Sequence, residues 1–164
     1  MNRTYASYRL SALLITAAAL FTTSAAVHAK DATVEKRLEQ IGMKYEIDKD
    51  GDYKVTIDFA REKRTQMIFV SGATETANGV VIRKIFSPAG IVARDKIDGS
   101  KALDLMRNSR INKLGSWEIE GANLYLVAKL PDTLTSTQLH AVMMIIASLA
   151  DDKELELSGA RDEL

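Results

Sequence analysis

Asp48-Lys49-Asp50-Gly51-Asp52 places three carboxylates at alternate positions, a spacing that invites a calcium ion. An EF-hand loop needs glycine at its sixth position for the sharp turn and a bidentate glutamate at its twelfth. Counted from Asp48, the glycine here is fourth and the twelfth residue is Phe59. The segment therefore reads as a solvated hairpin tip, and no metal site is assigned. His140 could serve as a general base. Ser/His catalysis also requires an orienting carboxylate and a nucleophile on a strained turn, and the chain has no Gly-x-Ser-x-Gly, His-Glu-x-x-His or Gly-x-Gly-x-x-Gly. One histidine also supplies too few ligands for zinc, so His140 reads as a partly buried or surface residue. Glu118 and Glu120 share a strand face, as a glycosidase pair would, yet alternation with Trp117 and Ile119 makes them the wet side of a half-buried strand. No catalytic, cofactor-binding or metal-binding residue is assigned, and no cofactor is expected.

Two further clusters bear on binding. Arg61, Lys63 and Arg64 are punctuated by Glu62 and lack interleaved aromatics, so they read as a solvated loop and not a nucleic-acid patch. In Met143-Met144-Ile145-Ile146, Met143 and Ile146 continue the stripe begun by Leu139 and Val142, while Met144 and Ile145 fall off it. Apolar residues beyond the packing stripe need a second cover, from the domain itself or from another subunit.

The composition sets the frame for these residues. The 164 residues suffice for one domain with a real core, and 46% hydrophobic with 27% charged is the mix of a globular protein. Lys+Arg and Asp+Glu balance at 22 each, so no basic field exists to grip nucleic acid. Cysteine is absent, which excludes thiol nucleophiles, disulfides, thiolate metal sites and a lipoprotein anchor.

The elements follow from periodicity. Val34, Leu38 and Ile41 recur at helical spacing, with Asp31 to cap and Gly42 to stop. Met43, Tyr45 and Ile47, then Tyr53, Val55, Ile57 and Phe59, alternate with polar residues as an antiparallel pair turning at Asp50-Gly51. Residues 66–71 and 80–86 form two more strands joined through Asn78-Gly79, the second ended by Pro88 to Gly90. A helix runs from Ser100 to about Arg110, capped by Asp98 or Ser100, with Ala102, Leu103 and Met106 inward. Ser116–Glu120 and Leu124–Leu130 pair about Gly121-Ala122, with Trp117 against the covering helices. If that ring is fully buried, Trp117→Ala costs about 3–5 kcal/mol. Thr135-x-x-Gln138 opens the last helix as a capping box after Pro131.

Residues 1–29 read as an export signal. Arg3 and Arg9 give a positive start, Leu10 to Phe21 is apolar, and small residues lead to Val27-His28-Ala29. The run is short of the ~20 residues of a membrane span. Cleavage after Ala29 leaves residues 30–164 as a single domain, periplasmic or secreted, with no stable membrane insertion. It removes two arginines, so the mature chain is slightly acidic. The C-terminal Arg161-Asp162-Glu163-Leu164 is similar to an endoplasmic-reticulum retrieval signal. The absence of disulfides and of Asn-x-Ser/Thr beyond residue 29 favours the bacterial periplasm and coincidence.

From Val34–Gly42 through Tyr45-x-x-Asp48 and Asp50-Gly51-Asp52-Tyr53, the mature chain resembles the YbjN-domain family, also described as bacterial sensory transduction regulators. Leu105-x-x-Asn108, Gly115-x-Trp117-Glu118-Ile119, Leu126–Pro131 and Glu154–Gly159 extend the resemblance over nearly all of residues 33–160. The resemblance implies an α+β fold like that of type III secretion chaperones, an antiparallel sheet of about five to six strands with helices packed on it, and a homodimer. It brings no reaction, cofactor or catalytic residue. The expected function is an exported, non-enzymatic binding module, chaperone-like or regulatory, for a polypeptide partner. The alternative is a periplasmic small-ligand sensor with its pocket between the sheet and the last helix.

Overall fold

In a computed structural model, residues 31–159 and Asp162 are described. Residues 1–29, read above as an export signal, and most of the terminal Arg161–Leu164 motif lie outside them. Asp31 caps α1 (Ala32–Gln40) by accepting from Thr33 N–H at 2.8 Å, and Val34 and Leu38 are its buried residues. Then come β1 (Glu46–Ile47), β2 (Tyr53–Phe59), β3 (Arg64–Ala77) and β4 (Val80–Ile91). Helix α2 (Gly99–Ile111), β5 (Ser116–Glu120), β6 (Asn123–Pro131) and α3 (Ser136–Ser158) complete the chain. Thr135 and Gln138 form the expected capping box of α3.

The six strands make one antiparallel sheet in the order β1-β2-β3-β4-β6-β5. Asn78 and Gly79, at φ 48° and 83°, join β3 to β4. Two successive positive φ angles match the right-handed twist of the flanking strands, which explains the Asn-Gly pair. One face of the sheet is covered. There Val55, Ile57, Ile68, Val70, Ile85, Leu124 and Leu126 meet Leu139, Met143 and Ile146 of α3, with Val34 and Leu38 of α1 beside them. Helix α3 lies chiefly over β4, and α2 closes the β5 end. Among the described residues, no helix is long and apolar enough to cross a membrane.

Four expectations change. β1 is two residues long, and Met43 and Tyr45 precede it. Pro88 to Gly90 does not end β4, which continues to Ile91 through a register shift between Pro88 and Gly90. Ala89 is the extra residue of this bulge, between Pro88 opposite Tyr125 and Gly90 opposite Leu124, and a proline at a bulge is tolerated within a strand. Helix α2 turns Leu105 inward and leaves Leu103 and Met106 53% and 68% exposed. Its rotation is fixed by polar bonds to β5: Trp117 N–H donates to Ser109 Oγ at 2.9 Å, and Trp117 Nε1 to Asn108 Oδ1 at 2.7 Å. Trp117 is accordingly half-buried, with its indole N–H satisfied by α2.

Candidate functional site

The residues with the spacing for chemistry are held by other groups. Asp48 Oδ1 accepts from the N–H groups of Asp50 and Asp52 at 2.9 and 3.0 Å, and Asp52 Oδ1 accepts from Gly72 N–H at 3.0 Å. The Asp48–Asp52 loop is thereby pinned to β3. Gly72 permits that approach: a Cβ there would lie 2.1 Å from Gly51 O. Glu118 binds Lys129 Nζ at 2.8 Å and Glu120 lies 3.6 Å from Lys84 Nζ, both on the solvent side as expected. His140 is half-buried on α3, and its side chain has no hydrogen bond or ion pair among the described residues.

The basic turn is different from the expectation. Arg61 and Lys63 are exposed, but Arg64 begins β3 and is buried. Arg64 Nε donates to Asp151 Oδ1 at 2.7 Å and its Nη2 to Glu154 Oε2 at 3.2 Å, both carboxylates on α3 and nearly inaccessible. Asp162 accepts from Thr65 N–H beside them, so three carboxylates converge as they would around a metal. The Arg64 guanidinium supplies the positive charge of this cluster. Burial alone would lower its pKa, but the hydrogen bond and charge of Asp151 outweigh burial and raise it.

A second buried network joins α1, β4 and the connection before α3. Arg83 bonds Asp31 and reaches Asp132 Oδ2 at 2.6 Å, while Arg37 reaches Asp132 Oδ1 at 2.7 Å. Burial pushes the Asp132 carboxyl up, yet hydrogen bonds from Arg83 and Arg37 hold it below the ordinary value. Asp31 is held down similarly: burial raises it, while bonds from Thr33 and Arg83 more than offset that. These four side chains fix helices to sheet.

The feature left open is a groove of about 630 Å³ on the outer flank of α3. It is lined by Met144, Ile145, Ser148 and Leu149 of α3, by Ile111, Asn112 and Lys113 at the end of α2, and by Phe59 of β2. Its volume is in the range of binding clefts, and its lining is mostly apolar with few polar groups. Met144 packs partly against the core, whereas Ile145 is 41% exposed. The Nδ2 of Asn112 is buried without a hydrogen-bond partner. Periodicity singled out Met144 and Ile145 but missed Phe59 and Ile111. Those two reach the groove from β2 and from the end of α2, and no local pattern announces that convergence. The groove lies beside α2; between sheet and α3 the space is filled core.

No family model matches the chain, and no curated protein matches it. Among solved structures it is similar to the Yersinia pestis type III secretion chaperone SycH in complex with a stable fragment of YscM2. That match has 22% identity and a TM-score of 0.46, covering 75% of this chain and 94% of that one. It is also similar to a chain in the structure of the HopA1–SchA chaperone–effector complex. There the identity is 11% and the TM-score 0.51, over 73% of this chain and 88% of that one. The fold is thus α+β of the type III secretion chaperone kind, a six-stranded antiparallel sheet with three helices.

Proposed function

We propose that the chain is an exported, non-enzymatic, chaperone-like binding module that holds a polypeptide partner in the groove on α3. The observation that carries this reading is the groove itself: an open, mostly apolar cleft with Ile145 exposed. Peptides recognised in clefts offer apolar anchors together with backbone carbonyls. The chaperone–effector complex among the similar structures supports the same kind of partner. A non-enzymatic role is supported by the state of the best-spaced carboxylates, which are engaged by backbone amides, lysines or Arg64.

Export rests on the residue 1–29 signal, and membership of the YbjN-domain family on the motifs quoted above. A homodimer completes the proposal. Helical periodicity pointed to Met144 and Ile145 as its contact, but Leu103 and Met106 on α2 are more exposed than Ile145. A small apolar ligand is the second reading, favoured by the cleft volume.

Native protein purified from the exporting cell, with co-eluting species identified by mass spectrometry, tests the proposal. A polypeptide in near-stoichiometric amount, lost on Ile145→Glu, is expected. A co-purifying metabolite with no polypeptide overturns the reading.

A further inference from the structure

A second, smaller cavity of about 390 Å³ lies between α2 and α3 and shares no lining residue with the groove. Leu105, 7% exposed, and the half-buried Leu157 give it an apolar lining. Lys101, Asp104 and Asn108 of α2 and Lys153 and Glu156 of α3 supply its polar groups. Their bonds stay on one side of the cavity or the other. Asp104 pairs with Arg107 of its own helix at 2.7 Å, and Lys153 pairs with Glu156 of its own. Lys101 Nζ donates to Asp95 O at 2.8 Å, in the connection before α2, and an ammonium has two further N–H groups to give. Asn108 Oδ1 is taken by Trp117 Nε1 at 2.7 Å, which fixes the amide, and its Nδ2 has no partner among the described residues. Glu156 bonds Lys153 through Oε2, so its Oε1 is likewise without one.

A lattice of ion pairs that merely joined the two helices would cross this space, and among the described residues no hydrogen bond or ion pair of these five side chains does so. We infer that the cavity binds a small zwitterion with an apolar side chain, of which a free α-amino acid is the simplest. Its carboxylate accepts from Lys101 Nζ and Asn108 Nδ2 on α2, its ammonium donates to Glu156 on α3, and its side chain lies on Leu105 and Leu157. Charge selects this class. Two lysines and two carboxylates line the cavity, so a plain anion or a plain cation meets a like charge along with its partner, whereas a zwitterion complements both sides. Apolar walls with a few fixed polar groups, at this volume, are the usual make-up of a small-ligand site. The site is additional to the groove and does not depend on what the groove holds. Trp117 reports on it from two directions: its indole holds Asn108, and Lys153 Nζ, on a side chain only 13% exposed, lies 5.8 Å from the ring centre.

Calorimetric titration of the full chain with L-leucine tests the inference, with emission from Trp117, the single tryptophan of the chain, followed in parallel. A saturable heat with a matching change in emission is expected. Isocaproate and isoamylamine are leucine without its ammonium and without its carboxylate. Each is expected to bind about tenfold or more weakly than leucine, the loss of one charged hydrogen-bonding group. Lys101→Met and Glu156→Gln, both at exposed residues, are each expected to weaken leucine binding about tenfold with Tm in place. Ile145→Glu, in the groove, is expected to leave it unaltered. The absence of a saturable heat with leucine overturns the inference. Isocaproate or isoamylamine binding as tightly as leucine overturns it as well, and so does leucine affinity unchanged in either Lys101→Met or Glu156→Gln.

Discussion

One face of the sheet is covered by helices, and its buried charges are matched across elements: Arg64 with Asp151 and Glu154, Arg83 with Asp31 and Asp132. The opposite face carries no described helix. It is finished by its own side chains. Phe69 and Phe86 stack at 5.1 Å between ring centroids, Tyr125 meets Phe86 edge-on at 5.7 Å, and Lys84 Nζ lies 4.4 Å from the centre of the Phe86 ring. Cross-strand aromatic pairs of this kind stabilise a sheet without a second layer. The two faces are finished by different means, and at their margin the α3 groove leaves an open apolar cleft with Ile145 exposed. That difference is the reason for assigning binding to the groove and not to the aromatic face.

The largest effect is expected on the covered face. Arg64→Met leaves Asp151 and Glu154 buried without their cation, and urea unfolding is expected to show a loss of about 3–5 kcal/mol. A loss below about 1 kcal/mol would mean that water reaches those carboxylates. Trp117→Ala is expected to cost about 2 kcal/mol, less than the 3–5 of a fully buried ring, because the indole is half in solvent. A cost above that range would restore Trp117 to the core proper.

The Arg83 network gives the covered face a pH dependence. Asp31 and Asp132 have folded pKa values below their unfolded ones, so their contribution is present above the unfolded carboxylate value and lost as pH falls through the folded one. Tm is thus expected to fall below about pH 4, with a shallower fall in Asp132→Asn. Equal slopes in the two proteins would remove Asp132 from the account. On the open face, Phe86→Ala is expected to cost about 1–2 kcal/mol, losing two ring contacts and a partly buried side chain. Calcium is expected to do least. Asp48 Oδ1 and Asp52 Oδ1 already accept backbone N–H groups, so millimolar calcium leaves Tm unchanged. A saturable rise, abolished by Asp50→Ala, would restore the metal reading of this loop.

What the sequence made legible was what short-range rules control. The Asp31 cap, the Thr135–Gln138 box, the Asn78-Gly79 turn and the two-residue Gly121-Ala122 link each depend on neighbours within a few residues. Arg64 was misread because its partners are far along the chain on α3, and a lone arginine after a lysine carries no sign of them. The inner face of α2 was misread for a related reason. Leu103 and Met106 are the more hydrophobic choice, but Asn108 and Ser109 set the rotation by binding Trp117. Half the groove was legible, as the off-stripe Met144 and Ile145, and half was not. Phe59 looked like one more alternating strand residue until the fold brought it to the end of α2.

The central claim is that this groove, and not the aromatic sheet face, receives a polypeptide. Site-specific photo-crosslinking in the native cell tests it directly, with benzoylphenylalanine placed at Ser148 in the groove or at Thr56 on the open face. Both positions are exposed, so the probe leaves the fold intact at either. A discrete polypeptide adduct from Ser148 and none from Thr56 is the predicted result. Adducts from Thr56 alone, or equally from both, would contradict it.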